Sequence, residues 1–400
     1  MSRLVKSLLV SGLAVTLFFL GFPLSENSLA QNSKTKLCIV YDIGGRGDLS
    51  FNDMAALGGE AVLKAGIAAQ VVEAQSRAES DYLPNLRNFA RAGDCVLIVA
   101  VGFLLTDAVK TVADEFSKQN FAIIDGFLDT KKNVLSILFK ENEGSALVGA
   151  LASLIAMENK APAIGVILGL EIPVLWKFEI GYKWGARWAR DMMRTALSNA
   201  QLAGPKALWT YTGSFNDPAR GKSATEVQLN QGAAVVYNVA GATGLGIFEA
   251  VEAKAKSAKR EMGPPFGIGV DANQDYLKPG FIIASMIKRV DQSVLIATKL
   301  SKEGKFRGGI LELGLSDNGV SISRLEDLQT FLELGIKAGA VKANDKTAIY
   351  ETVKKMRASL PAYIWTMVDT LEQLIRSNKV QVPKVETQEQ LKKWRTELDK

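Results

Sequence analysis

From Lys36 onward, short runs of consecutive apolar residues alternate with stretches in which apolar positions recur at helical spacing. The runs at 37–41, 69–73, 95–101, 121–124 and 134–139 are β-rich and apolar throughout. Between them, 51–65, 82–92 and 105–118 each carry one apolar helical face. Parallel strands need crossover connections, so strand–helix alternation predicts a parallel sheet. Runs that are apolar on both faces belong to sheets covered by helices on both sides. After a helix over 143–156 the pattern begins again, with strands 163–168, 207–211, 233–238 and 266–270 and helices 176–196, 218–230 and 245–258. A short apolar run at 281–285 and a helix over 292–303 follow. The fold class is therefore α/β, with two doubly wound parallel sheets joined by a hinge. The first lobe is expected over 36–142 with a return segment at about 275–308. The second is expected over 143–272 with a C-terminal segment at about 309–400. Residues 316–360 are poorer in strand signal and read as helical with polar breaks. Amphipathic helices at 365–378 and 386–398 flank 380–383.

Length agrees with two lobes, because 400 residues exceed what one core usually serves. Residues 1–30 have the three parts of a secretory signal: a positive start at Arg3 and Lys6, an apolar stretch over 8–24, and Ser28-Leu29-Ala30 as a small-x-small cleavage site. The apolar stretch is broken by Gly12, Gly21 and Pro23, which favours cleavage over retention as an anchor. The mature chain is expected to start near Gln31 and to act outside the cytoplasm.

The formal net charge of +6 is spread along the chain rather than gathered into a stripe with aromatics, so nucleic acid is not an expected partner. Short basic runs such as Lys392-Lys393 read as solvated surface. The chain has no histidine, which removes imidazole metal sites and His-dependent triads. Two cysteines, Cys38 and Cys95, are too few for a four-cysteine zinc site. In an oxidising space they could pair across neighbouring strands. The reading preferred is that they are two small buried core residues. No cofactor and no metal are expected.

In open α/β sheets, ligands bind beyond the carboxyl ends of the strands. The polar residues there include Asp42, Gly44 and Gly45; Gly102 and Thr106; Asp125 and Gly126; Glu141 and Asn142; Thr212, Ser214 and Phe215; Gly241 and Thr243; and Asp271, Asn273 and Gln274. This set suits a neutral, flat, hydroxyl-rich molecule. It lacks the arginine cluster expected for a phosphate, which favours a nucleoside or sugar over a nucleotide.

The segment Asp42-Ile-Gly-Gly-Arg-Gly-Asp48-Leu-Ser50-Phe51-Asn52 resembles the opening motif of the basic membrane protein family, the nucleoside-binding receptors of certain ABC importers. Further similar pieces follow in order: Val101-Gly102-Phe103, Phe121 to Gly126, Phe139 to Gly144, Ile172-Pro173 with Phe178, Tyr211 to Asp217, Gly241 to Gly246, Gly269-Val270-Asp271, and Ser285 to Arg289. The resemblance implies a type I periplasmic-binding-protein fold, a permease partner and a monomer that closes on its ligand. Carried over residue by residue, it implies that Phe51 and Phe215 stack on the base, with Phe178 in reserve. Asp125 would accept from the base edge, Asp271 from the ribose hydroxyls, and Lys288 would donate nearby. Asp42, Asn52 and the Gly241 backbone would complete the site. The competing structural readings are core packing for the phenylalanines and helix capping for the aspartates.

Three features depart from the family pattern. The lipid-attachment cysteine is missing, Asn273 stands where a second acidic residue is common, and 316–360 reads as an insertion. Riboflavin, another flat ring with hydroxyls, is the main alternative ligand. A nucleoside hydrolase is a lesser alternative, because Asp42 and Asp48 do not form the adjacent acidic pair that a hard cation wants. A DNA-binding repressor of the same two-lobed shape would need a helix-turn-helix where the signal segment lies. The Arg46-Gly47-Asp48 tripeptide is read as coincidental, and Gly241 to Gly246 is out of order for a dinucleotide fingerprint.

Overall fold

The computed structural model describes residues 34–129 and 131–399. The expected signal segment, 1–30, lies outside the described residues. Thr35–Lys400 forms one compact unit.

The first sheet has the order β11-β5-β4-β3-β1-β2 and is parallel throughout. Its strands are β1 (Lys36–Tyr41), β2 (Gln70–Ala74), β3 (Cys95–Val101), β4 (Phe121–Ile124), β5 (Val134–Phe139) and β11 (Gly309–Leu313). Helices α1 (Phe51–Lys64), α2 (Tyr82–Ala92) and α3 (Thr106–Glu115) connect the early strands. The central strands are buried along their whole length, which is why they read as unbroken apolar runs.

Helix α4 (Glu141–Glu158) leads into the second sheet, of order β12-β10-β9-β8-β6-β7. Its strands are β6 (Ala163–Leu168), β7 (Lys206–Tyr211), β8 (Ala233–Val239), β9 (Phe266–Asp271), β10 (Ile282–Lys288) and β12 (Val320–Ile322). All are parallel except β12, which pairs antiparallel with β10. Helices α5 (Pro173–Ala196), α6 (Pro218–Asn230) and α7 (Gly244–Ser257) are its crossovers, and α8 (Val290–Lys302) returns to pack on α1 and β3. The structure is thus two α/β lobes of six strands each, as the alternating pattern predicts.

The chain crosses between lobes at other points than the expected 275 and 309. Ile282–Lys288 pairs in the second sheet and Gly309–Leu313 in the first, so the return segment is α8 followed by β11. The stretch 316–360 is not a separate insertion. It supplies β12 and helices α9 (Leu325–Lys337) and α10 (Lys346–Ala358), whose Leu328, Leu332, Val353 and Met356 are fully buried. Arg357 anchors it by donating to Ile283 O (3.1 Å) and to Asp275 Oδ2 (2.6 Å). Helices α11 (Ala362–Arg376) and α12 (Gln388–Leu398) close the chain against the second lobe.

Cys38 and Cys95 form a disulfide, with Cα atoms 5.8 Å apart. The preferred reading of two free core thiols is therefore corrected: β1 and β3 are hydrogen-bonded neighbours, which brings the two Cα atoms into bridging range.

Candidate ligand-binding cleft

Strand order reverses between β1 and β3 in the first sheet and between β6 and β8 in the second. At such a switch point the connections leave on opposite faces and open a crevice at the carboxyl ends of the strands. The loops there wall a cavity at the carboxyl ends of both sheets, the place where small-molecule sites form in open α/β folds. Asp42, Phe51, Asn52, Asp125, Phe215, Gly241, Asp271 and Lys288 all lie on its wall, as do Phe103, Ile172, Leu175 and Phe178. The first eight are the residues to which the resemblance assigns ligand contacts; of the other polar residues at strand ends, Thr106, Glu141, Thr212, Asn273 and Gln274 do not line the cavity.

Local chemistry explains why α1 presents its first residues to the cavity. The buried Asp48 carboxylate accepts the backbone N–H groups of Ser50 (2.9 Å), Asn52 (2.9 Å) and Asp53 (3.1 Å). These are orphan donors of the helix start, so Asp48 acts as its cap and holds Phe51 and Asn52 at the rim. The Asn52 side-chain amide then donates to Asp42 Oδ1 at 3.0 Å, and Gly44 N donates to the same oxygen at 2.9 Å. Asn52 Oδ1 is left buried without a hydrogen-bond partner among the described residues.

Asp125 and Asp271 occupy matching places, immediately after β4 and at the end of β9. Both adopt left-handed backbone conformations, φ 66° and 64°, which non-glycine residues avoid outside specially supported sites. The capping role weighed for them is not what they do. Asp125 accepts two charge-assisted bonds from Lys288 Nζ, at 2.7 and 2.6 Å. Asp271 Oδ2 accepts from the Ser50 hydroxyl at 3.3 Å, while its Oδ1 is buried and has no hydrogen-bond partner among the described residues.

Lys288 is the electrostatic centre. Its ammonium also meets Glu141 Oε1 at 2.9 Å, and Glu141 Oε2 meets Lys177 Nζ at 2.5 Å. Burial alone would lower the Lys288 pKa, but Asp125, Glu141 and Asp271 outweigh it and hold the group firmly protonated. Burial likewise pushes Glu141 up, yet Lys177 and Lys288 prevail and its carboxyl lies below the usual range. Asp271 goes the other way: burial lifts it to about 7, with Lys288 only partly opposing. Burial lifts Asp42 to about 6.

Several of these bonds cross between the lobes. Lys288 of the second sheet reaches Asp125 of the first, Lys177 donates to Phe139 O at 2.9 Å, and Ser50 Oγ donates to Val270 O at 2.9 Å. Gln274 Nε2 adds a bond to Leu49 O at 3.0 Å. Aromatic faces surround the ammonium, with Lys288 Nζ 5.1 Å from the Phe51 ring centroid and 5.7 Å from that of Phe178. Phe215 enters from the second lobe, where its ring lies against Gly169. A Cβ at Gly169 would come within 2.3 Å of the ring, so any larger residue there would displace Phe215.

Lys177 was not singled out from the sequence, and Glu141 was noted only as a polar residue after a strand. The one signal for Lys177 is a charge inside the apolar face of α5, between Trp176 and Phe178. Chemically, the wall offers aromatic faces, one lysine, four aspartates and two unfilled acceptor oxygens. Among the described residues, no arginine lines the cavity and no group of acidic, Cys or His side chains is arranged to hold a metal ion.

The model of the PnrA-like ABC transporter substrate-binding proteins matches residues 35–353. This chain belongs to that family. The match runs through most of the stretch that reads as an insertion, in keeping with the buried place of β12 and α9. As a family member, the chain is an ABC transporter substrate-binding protein. It is 36% identical over 372 residues to an uncharacterized lipoprotein of Pyrococcus abyssi, covering 92% of this chain and 89% of that one. It is 33% identical over 334 residues to the ABC transporter nucleoside-binding protein BmpA of Lactococcus lactis, covering 80% of this chain and 90% of that one. The crystal structure of a solute-binding protein of an ABC transporter system from Aeropyrum pernix superposes with a TM-score of 0.82. It is 34% identical and the alignment covers 91% of this chain and 97% of that one.

Proposed function

We propose that this substrate-binding protein is the extracytoplasmic receptor for a nucleoside, with a purine nucleoside preferred, and that it binds its ligand without turning it over. The observation that carries the reading is Asp271. Its buried Oδ1 has no partner, faces a cavity walled by phenylalanines, and is held there by a left-handed backbone. Buried acceptors are normally filled, and a ribose hydroxyl is a donor of suitable chemistry. Aromatic stacking on a base contributes about 1–3 kcal/mol per contact. In this reading Phe51 and Phe215 hold the base with Phe178 beside them. Asp125 with Lys288 meets its edge, and Asp42, Asn52 and the Gly241 backbone complete the enclosure. Four aspartates against one lysine on the wall disfavour a phosphate, hence a nucleoside over a nucleotide. The nucleoside-binding relative in Lactococcus lactis supports the ligand class. The disulfide and the signal-like residues 1–30 support an oxidising, extracytoplasmic location.

Ligand bridging both lobes shifts the population towards the closed form, and that form, as a monomer, docks on a membrane permease. The test is thermal unfolding of the chain from Gln31 onward, which contains the whole compact unit, against adenosine, guanosine, inosine, uridine, riboflavin and ribose. Ligand at about 100 times its dissociation constant adds roughly 2.7 kcal/mol of stability. A rise in Tm with purine nucleosides is the expected result. A rise with riboflavin alone would replace the ligand, and no rise with any of the six would overturn the proposal.

A further inference from the structure

A second concavity lies on the outer side of the second lobe, away from the cleft. It is an open groove walled by one face of α5, by edge strand β7 and by the end of α12. Its charge is one-sided. Lys183, Arg187 and Arg190 follow at helical spacing along α5, and Lys206 begins β7 opposite them. Among the described residues, Asp399 is the one acidic side chain on its wall. Arg187 is shared with an adjoining hollow that adds Lys392 and Lys393 together with one acid, Glu397, so the net basic surface continues onto α12.

Lys183 is the unusual member. Only 2% of it is exposed, because it shares the α5 face of Trp176, Ile180 and Arg187 that the chain end covers. Its ammonium meets Asp399 Oδ1 at 2.5 Å and stands 5.9 Å from the ring centroid of Trp209, which is 38% exposed. Among the described residues it has no hydrogen-bond partner beyond that one carboxylate oxygen, though an ammonium carries three donors. The Asp399 side chain is itself half exposed, an anchor that solvent can release. Arg187 fastens the same chain end by donating to Glu397 O at 2.9 Å. Asp191 is the acidic counterweight on α5, taking Arg190 at 2.9 Å and Arg187 at 3.8 Å. Lys206 has no described ion-pair partner.

We propose that this groove binds a phosphate group, and that Asp399 occupies the oxyanion position when the groove is empty. An oxyanion with three or four oxygens would fill the remaining Lys183 donors while meeting Arg190 and Lys206, which a single carboxylate oxygen cannot do. The same chemistry is presented by free phosphate and by the headgroup of an acidic membrane lipid, and exposed Trp209 beside the cations suits the second source equally. The proposal is independent of the ligand in the cleft.

Two probes distinguish the sources for the chain from Gln31 onward. One is inorganic phosphate, read by titration calorimetry at low salt. The other is flotation with vesicles of phosphatidylglycerol mixed into phosphatidylcholine, against phosphatidylcholine alone. Binding of phosphate without vesicle binding assigns a free oxyanion, and flotation only with phosphatidylglycerol assigns a lipid headgroup. Either should be lost in Arg190→Gln/Lys206→Gln, whose side chains are partly exposed and leave the core intact. Either should be strengthened in Asp399→Asn. Cleft ligand shifts should be unchanged in both variants. The proposal is overturned if neither probe binds, or if binding survives the double variant undiminished.

Discussion

At the scale of single residues, the cleft holds its carboxylates at an electrostatic cost. Burial raises Asp271 to about 7 and Asp42 to about 6, so each keeps a proton in the folded chain that it releases when unfolded. The folded state then binds more protons between about pH 4 and pH 7, and the contribution of these groups to stability falls as pH rises through that window. Asparagine at 271 carries no such penalty and tolerates a left-handed backbone. Asp271→Asn should therefore raise the ligand-free Tm at pH 8, change it little at pH 4, and abolish the ligand-induced rise at both. Melting curves at the two pH values check this. A ligand response retained in Asp271→Asn would remove that residue from the site. The same protonation sets the pH dependence of binding, because only the ionised carboxylate accepts two hydroxyl donors. Affinity should rise from pH 5 to pH 8.

At the scale of elements, the cleft depends on how closely α4 and α5 cross. Glycines stand at the crossing. A Cβ at Gly181 would lie 2.4 Å from Asn142 O, and one at Gly185 would lie 2.0 Å from Ala146 O. The backbones touch there, and this places Glu141 at the start of α4 within reach of Lys177 on α5. For Gly181→Ala two effects oppose. Alanine favours a helix by about 1 kcal/mol, whereas overpacking against a fixed backbone costs about 1–3 kcal/mol. Backbone atoms cannot yield as a side-chain tip can, so overpacking prevails. Gly181→Ala should lower Tm and weaken ligand binding together, as chemical denaturation and titration of the same variant would show. A stabilised Gly181→Ala would mean that the helices have room to move apart.

At the scale of the whole molecule, the first lobe is stapled by Cys38–Cys95 across 57 residues. Closing a loop of this size removes about 4 kcal/mol of unfolded-chain entropy in the simple chain model. Both cysteines are buried in the apolar layer between β1, β3 and α2, so Cys38→Ala/Cys95→Ala also loses some packing. The double variant, or reduction under mild denaturant, should lower the unfolding free energy by about that amount. The ligand affinity of the folded fraction should be unaffected, because neither sulfur lines the cleft. An unchanged denaturation midpoint would show that the staple carries little of the stability.

The alternation of apolar runs and helical periodicity was enough to determine two doubly wound lobes. Covered parallel strands must be apolar on both faces, and that signal is local. It was also enough to place Asp42, Asp125 and Asp271 at strand ends facing a common crevice, since topology sends the carboxyl ends of parallel strands to one edge. The resemblance then drew Phe51 and Lys288 into the same list and gave Phe215 its stacking role. What local pattern does not carry is pairing between distant segments. Val320–Ile322 is too short for any periodicity to register, and Gly309–Leu313 is a half-exposed edge strand, so the exchange of β10 and β11 between sheets came only from tertiary contacts. The disulfide, the Lys177–Glu141–Lys288–Asp125 chain and the groove around Lys183 are of the same kind. Each joins residues tens to hundreds of positions apart, and a buried charge shows its partner only once the fold has excluded water from around it.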